Sequence, residues 1–320
     1  MFFKTIIMQS GNRRQLNNGH VSVADIVMTY GKPNAAVQAL QGINFEVKPG
    51  ELFGIIGPDG AGKTSLFRIL TTLLLPTGGR AEVGGFDVVK DYQAIRNSVG
   101  YMPGRFSLYP DLTVAENLAF FATIFNTSIS ENYDLIKDIY LQIEPFRNRR
   151  AGQLSGGMKQ KLALSCALIH RPSVLFLDEP TTGVDAVSRR EFWEMLRRLK
   201  AQGITILVST PYMDEAGLCE RVALLQNGRM LGIDTPAGIT ASFGKLLLAV
   251  RNENMLPLLK LLKSFEEVEE AYPFGEYHHV VLKQGSEKDL RARLKAAGME
   301  AEVITAVPGI EDCFMDLMKN

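Results

Sequence analysis

The absences in this chain narrow the field before any motif is considered. Its 35 basic residues meet 35 acidic ones, giving a net charge of zero over 320 residues. No positive excess is therefore on offer to a nucleic-acid backbone, and no nucleic-acid partner is expected. Only three cysteines occur, Cys166, Cys219 and Cys313. They are scattered without metal or redox spacing, which excludes a disulfide framework and fits a reducing cytosol. No apolar run reaches the ~18 residues needed to cross a bilayer. The most apolar helical stretch, Leu66 to Leu75, is interrupted by Arg68 and reads as core. Phe2 to Met8 is apolar but short, and it lacks a convincing cleavage site, so residues 1–20 read as a mobile leader rather than a signal peptide. Arg147 to Arg150 reads as a solvated helix end, and His278-His279 as a strand face rather than a metal site.

What is present begins with Gly57-Pro58-Asp59-Gly60-Ala61-Gly62-Lys63-Thr64, a full match to G-x-x-x-x-G-K-[ST]. The apolar run Glu51 to Ile56 precedes it as a buried strand, and Ser65 to Leu75 follows as a helix. Glycines let the backbone turn its N–H groups onto a triphosphate, and the helix N-terminus adds favourable charge. Lys63 is placed to neutralise the β- and γ-phosphates, and the Thr64 hydroxyl to ligate Mg²⁺.

A second buried strand, Ser173 to Leu177, ends in Asp178-Glu179-Pro180. Ligands of open α/β sheets sit at the carboxyl ends of strands, so these carboxylates are delivered to the nucleotide. Strand alternation would turn the two to opposite faces and give them different roles. Between the phosphate loop and this pair lies Leu154-Ser155-Gly156-Gly157-Met158. It opens a helix with apolar spacing at Leu162, Leu164, Ala167 and Leu168, and its start is a second anion site.

That order of motifs resembles the ATP-binding cassette (ABC) ATPases from about Val21 to Thr235. The resemblance implies an α/β P-loop NTPase core with antiparallel and helical subdomains. It assigns Mg²⁺ to Thr64 and Asp178, the attacking water to Glu179, and adenine stacking to Tyr30, with Pro58, Asp59 and Ser65 joining the nucleotide contacts. It implies that Leu154 to Met158 act on ATP held by a second subunit, so that two cassettes, identical or related, sandwich two nucleotides. Asp185, in Thr182-Gly183-Val184-Asp185, would face the opposite subunit near Asp59, where the family more often has Asn or Ser. Two like charges would then weaken closure.

Two positions depart from the pattern. Gly104 follows Val99-Gly100-Tyr101-Met102-Pro103 where the family expects glutamine, and Pro211 follows Ile206 to Thr210 where it expects histidine. Nucleotide binding rests on Lys63 and backbone donors and should survive. Hydrolysis is expected to be slow, because losing one preorganised contact can cost on the order of 10²–10³ in rate. A subunit that binds ATP without turnover is the alternative.

Strand and helix patterns divide the chain into the leader (1–20), a nucleotide-binding domain (21–240, with a helical subdomain at about 104–171) and a small accessory domain (241–320). In the last, Leu246 to Val250, Met255 to Phe265, Val268 to Tyr272, His278 to Lys283, Lys288 to Ala297 and Ala301 to Val307 follow a β-α-β-β-α-β order. That order predicts a ferredoxin-like α+β module, with a further helix at Ile310 to Met318. The wording Leu154 to Leu162, with Tyr212-Met213-Asp214-Glu215-Ala216, resembles the ATPases that serve separate ABC-2 type membrane permeases. The resemblance implies export of drug, lipid or polysaccharide-like cargo. The ATPase would lie in the cytoplasm, peripheral on the inner membrane face. Arg105, Phe106, Leu108 and Tyr109 would form the permease docking surface. A soluble ABC switch acting on nucleic acid or ribosomes is the reading from another class, and the neutral charge weighs against it.

Overall fold

The computed structural model describes residues 19–32, 36–104 and 108–319. The leader up to residue 18, and Arg105 and Phe106 of the expected docking surface, lie outside them. The chain divides into two compact units, Met1–Pro236 and Ala237–Asn320.

The first unit opens with β1 (Val21–Tyr30) and β2 (Val37–Val47), paired antiparallel. The phosphate-loop strand β3 (Leu52–Ile56) and helix α1 (Lys63–Leu70) follow. β4 (Gly78–Val83) and β5 (Phe86–Asp87) form a hairpin that extends the first pair into a sheet of order β2-β1-β4-β5. Next come α2 (Tyr92–Ser98), β6 (Val99–Met102), and a helical stretch of α3 (Val114–Ile124), α4 (Tyr133–Tyr140) and α5 (Gly156–Leu168). The chain returns to the core through β7 (Val174–Asp178), α6 (Ala186–Ala201), β8 (Thr205–Thr210), β9 (Arg221–Gln226) and β10 (Arg229–Asp234). The central sheet has the order β10-β9-β3-β8-β7-β6 and is parallel except at β9–β10.

Each of β3, β7 and β8 is buried along its whole length. That is why their sequences read as unbroken apolar runs rather than alternating ones. Phe67 of α1 meets Phe176 of β7 edge to face, with ring centroids 5.7 Å apart. This contact clamps the phosphate-loop helix onto the strand that carries the acidic pair. Helix α3 begins with a capping box, in which Thr113 and Glu116 satisfy each other's backbone N–H.

Helix α7 (Pro236–Ala241) leads into the second unit, which contains β11 (Leu247–Arg251), α8 (Met255–Ser264), β12 (Val268–Phe274), β13 (Tyr277–Leu282), α9 (Glu287–Ala296), β14 (Glu302–Thr305) and α10 (Ile310–Leu317). Its antiparallel sheet runs β12-β13-β11-β14, the strand arrangement of a ferredoxin-like module. Leu258, Leu262, Leu290 and Leu294 from α8 and α9 bury against Leu248, Val250 and Val280 of the sheet. His278 and His279 are both buried in β13. A ring nitrogen of His278 lies 2.7 Å from the Met255 carbonyl, and His279 Nδ1 lies 2.6 Å from Asp312 Oδ1 on α10.

Candidate functional site

The phosphate loop follows from backbone crowding at the end of β3. A Cβ at Gly57 would stand 2.1 Å from the Leu225 carbonyl oxygen, so only glycine admits the close approach of β9. Gly62, at φ 110°, turns the chain into α1 and offers no side chain to cap it. The first N–H groups of that helix stay open to an anion. Tyr30 ends β1 beside this helix, its hydroxyl 3.0 Å from Ser65 Oγ.

Lys63 is nearly wholly buried, and its ammonium is fully engaged. It donates to the carbonyls of Gly57 (2.8 Å) and Pro58 (3.0 Å) and pairs with Glu179 Oε1 at 3.0 Å. The loop and the acidic pair, distant in sequence, are thus joined. Glu179 does not continue the strand. At φ 51° it turns into the left-handed region, so the alternation expected of Asp178 and Glu179 stops at Asp178. The two carboxylates are separated by this backbone turn rather than by opposite strand faces.

Asp178 is 2% exposed, and its Oδ1 accepts a 2.6 Å hydrogen bond from Ser209 Oγ of β8. Among the described residues, neither its other oxygen nor the Thr64 hydroxyl at the start of α1 makes a hydrogen bond. Among the described residues no group of three or more His, Cys, Asp or Glu gathers into a metal cage. The donor set suits Mg²⁺ shared with phosphate oxygens, since that ion is usually held by one or two protein ligands plus substrate. Tyr101 of β6 lies near; burial, then the charge of Asp178, pushes its phenol up to about 12, so it stays protonated at neutral pH.

The two departures from the expected pattern also lie at this edge. A Cβ on Gly104 would stand 3.1 Å from the Asp178 carbonyl and 3.9 Å from Glu179 Cβ. The glycine therefore occupies a tight place against the acidic pair. The turn at Pro211 is braced without histidine. Thr210 Oγ1 donates to Glu215 Oε2 at 2.5 Å and accepts from the Tyr212 N–H at 3.1 Å. Arg189 of α6 stacks over the Tyr212 ring at 4.5 Å and lies 3.7 Å from the buried Glu215 carboxylate. From the sequence, Ser209, Thr210 and Arg189 have no role, and Glu215 has only a place in the Tyr212 to Ala216 wording. Two hydroxyls closing the apolar run Ile206-Leu207-Val208 were the available signal.

Ser155 caps α5 by accepting from the Met158 N–H (3.4 Å), and Leu154 packs beneath it. Gly157 lies so close to α6 that a Cβ would meet Ser188 Oγ at 2.7 Å. One turn on, the Gln160 amide donates to the Pro180 carbonyl, immediately after Glu179. Asp185 caps α6, accepting from the N–H groups of Val187 (3.1 Å) and Ser188 (2.9 Å). The Ser188 N–H first, then its hydroxyl, hold the Asp185 carboxyl below the usual range. Asp59 is exposed on the phosphate loop.

Of the expected docking residues, Leu108 is half-buried and Tyr109 is 46% exposed. The Tyr109 ring packs edge-on against Phe120 at 4.6 Å. The turn before α3 is stapled by the fully buried Asn117, which accepts from the Tyr109 N–H (2.9 Å) and donates to the Tyr109 carbonyl (3.0 Å). Nearby, a cavity of about 250 Å³ is lined by Leu73, Tyr101, Phe121, Phe125, Ala167 and His170.

Residues 40–182 match the profile of the ABC transporter family. Over 292 residues the chain is 38% identical to the probable multidrug ABC transporter ATP-binding protein YbhF of Escherichia coli (strain K12), with 89% of this chain and 50% of that protein covered. The chain thus spans half the length of that relative. It is 36% identical over 274 residues to the Nod factor export ATP-binding protein I of Paraburkholderia xenovorans (strain LB400), covering 82% of this chain and 89% of that one. Among solved structures it is similar to the dimeric post-hydrolysis form of the ATP-binding cassette MJ0796 bound to ADP and Pi. That likeness has a TM-score of 0.61 at 26% identity, with 67% of this chain and 98% of that one covered.

Proposed function

The chain belongs to the ABC transporter ATP-binding family, and on that premise we propose that it hydrolyses ATP to power a separate ABC-2 type membrane permease that exports drug, lipid or polysaccharide-like cargo. The observation that carries the catalytic part is the 3.0 Å approach of Lys63 Nζ to Glu179 Oε1. It brings the phosphate-binding charge and a carboxylate to one point at the carboxyl edge of the sheet.

In this reading Lys63 exchanges its loop carbonyls and Glu179 for the β- and γ-phosphates of ATP. Thr64 and Asp178 would hold Mg²⁺, which neutralises phosphate charge when bound. Released from Lys63, Glu179 orients a water and accepts its proton as the water oxygen bonds to the γ-phosphorus. The bond from that phosphorus to the β-bridging oxygen breaks, leaving ADP and phosphate. Tyr30 stacks on adenine at the edge of the loop. Leu154 to Met158 engage the nucleotide of a second cassette, a copy or a relative, which is supported by the similarity to a dimeric cassette.

Export as the direction is supported by the names of the relatives, one a multidrug and the other a Nod factor export protein. Among the described residues no helix is long and apolar enough to cross a membrane; in this reading the chain meets the membrane through its permease. The exposed Tyr109, packed on Phe120 at the turn before α3, suits a helix from that partner. Tyr109→Ala should reduce co-purification with the permease while sparing nucleotide binding. Undiminished co-purification would move docking elsewhere.

A second reading, an ATP-gated subunit with little turnover, is favoured by Gly104 and Pro211. Steady-state hydrolysis by the purified chain, with and without permease and with Glu179→Gln as control, separates the two. Turnover that disappears in the control supports an ATPase; tight ATP binding with no turnover in either setting supports the gated subunit.

A further inference from the structure

Ser209 sits between the two acidic residues and serves both. It has no exposed surface, and the parallel register of β7 and β8 sets it directly opposite Asp178. Its hydroxyl donates to Asp178 Oδ1 at 2.6 Å and accepts from the Glu179 N–H at 3.0 Å. The same N–H also lies 3.0 Å from the Ser209 carbonyl oxygen.

Each contact answers a specific need. A buried carboxylate hydrogen-bonded through one oxygen has a fixed plane, and its other oxygen has a fixed direction. A non-glycine residue in the left-handed region is strained and persists only where its surroundings over-determine it. Glu179 is such a residue, and Ser209 grips its N–H with two acceptors. The neighbouring hydroxyl of Thr210 is committed to Glu215 and Tyr212. Gly104 contributes no side chain to the pair, and Pro211 contributes no donor.

We propose that Ser209 is a positioning residue of the ATPase site: its hydroxyl aims the free oxygen of Asp178 at Mg²⁺ and holds the left-handed turn that keeps Glu179 beside Lys63. This rests on the ATPase reading above.

The test compares the full chain with Ser209→Ala and Ser209→Thr. ADP affinity is titrated in EDTA and again in Mg²⁺, alongside kcat, KM and melting temperature. Ser209→Ala should bind ADP in EDTA as the wild type does, and should lose about ten- to hundredfold of the affinity gained on adding Mg²⁺. Its kcat should fall by about ten- to hundredfold with KM for Mg-ATP rising less. Ser209→Thr, which keeps the hydroxyl, should restore both. Equal losses in EDTA and Mg²⁺ would mean a merely structural role and overturn the proposal. Wild-type values for Ser209→Ala, or a Thr variant as impaired as the Ala variant, would overturn it too. If the wild type shows no turnover, the ATPase reading fails, while the Mg²⁺-dependent affinity still decides whether Ser209 aims Asp178.

Discussion

Lys63 and Glu179 form an ion pair within a single chain, Nζ to Oε1 at 3.0 Å, with the lysine also donating to two carbonyls of its own loop. The lysine's charge is thereby matched by a carboxylate and two carbonyl oxygens. In the proposed ATPase, a triphosphate would compete for the three contacts of this buried cation and would part it from Glu179.

Binding and turnover should accordingly separate by mutation. Lys63→Ala should weaken ATP binding about tenfold to a hundredfold, since a hydrogen bond to a charged group contributes on the order of 1.5–3 kcal/mol. Glu179→Gln should slow turnover by about 10²–10⁴ and leave binding intact. Equilibrium nucleotide titration beside phosphate release checks both. Loss of binding in Glu179→Gln would show that the carboxylate organises the loop rather than the water.

Asp185 is tied to the N-terminus of α6 and stays ionised well into acid, because the N–H and hydroxyl of Ser188 hold its carboxyl low. If a second cassette brings its Asp59 to this aspartate, closure carries a like-charge penalty. Asp59→Asn should then strengthen ATP-dependent dimerisation, most of all at low salt, where exposed charges are least screened. Sedimentation in the Glu179→Gln background, with ATP retained, measures it. An unchanged dimer fraction would mean that the two charges do not meet.

His170 gives the fold an acid sensitivity. Its ring stacks on Phe125 with centroids 3.7 Å apart, Nε2 donates to the Val99 carbonyl, and Nδ1 is buried without a partner. Burial pulls its pKa down to about 4, against the opposing pull of the Val99 carbonyl. An unfolded histidine titrates near about 6.5, so between these values the unfolded chain binds the extra proton. Stability contributed by the neutral ring is thus complete above about pH 6.5 and falls as pH drops toward 4, by on the order of 2–3 kcal/mol. His170→Phe keeps the stacking and removes the titration. Urea melts at pH 7 and pH 5 should differ less for this variant than for the wild type, and identical differences would exclude His170.

In the second unit, Asp312 fastens α10 to the sheet. It accepts from Tyr272 (2.5 Å), His279 (2.6 Å) and the Gly309 N–H (2.7 Å). Burial opposes its charge, but these bonds, with His279 foremost, hold the carboxyl below its usual range. Its stabilising contribution is therefore present above about pH 4 and lost as pH falls through the lowered value. Asp312→Ala strands the buried His279 and two half-buried donors, Tyr272 and the Gly309 N–H, and should cost about 2–4 kcal/mol. Hydrogen exchange should report it as lost protection of the α10 amides, 310–317. Protection equal to the wild type would show that Ile310, Cys313 and Phe314 hold the helix by themselves.

The sequence was most legible where local chemistry dictates structure. Strands buried on both faces, the glycine pattern of the loop, and the alternating β-α-β-β-α-β rhythm of the second unit all write themselves into consecutive residues. β6, α2 and β10 went unread. β6 is four residues long and takes its identity from pairing with β7, α2 buries only Ile95, and β10 is half-exposed along its middle. In the site, residue types were legible but their mutual arrangement was not. Nothing in Asp178-Glu179 announces a left-handed turn, and Ser209 matters through Asp178 and Glu179, about thirty residues away in the chain.

The Gln160 amide has a consequence for motion. In a head-to-tail pair of cassettes, the glycines at the start of α5 would touch one nucleotide, and Glu179 of the same chain would face the other. Gln160 donates to the carbonyl just beyond Glu179, so the first turns of α5 and the turn that carries Glu179 are tied by one side chain. A shift of α5 against β7 would therefore carry the backbone beside Glu179 with it.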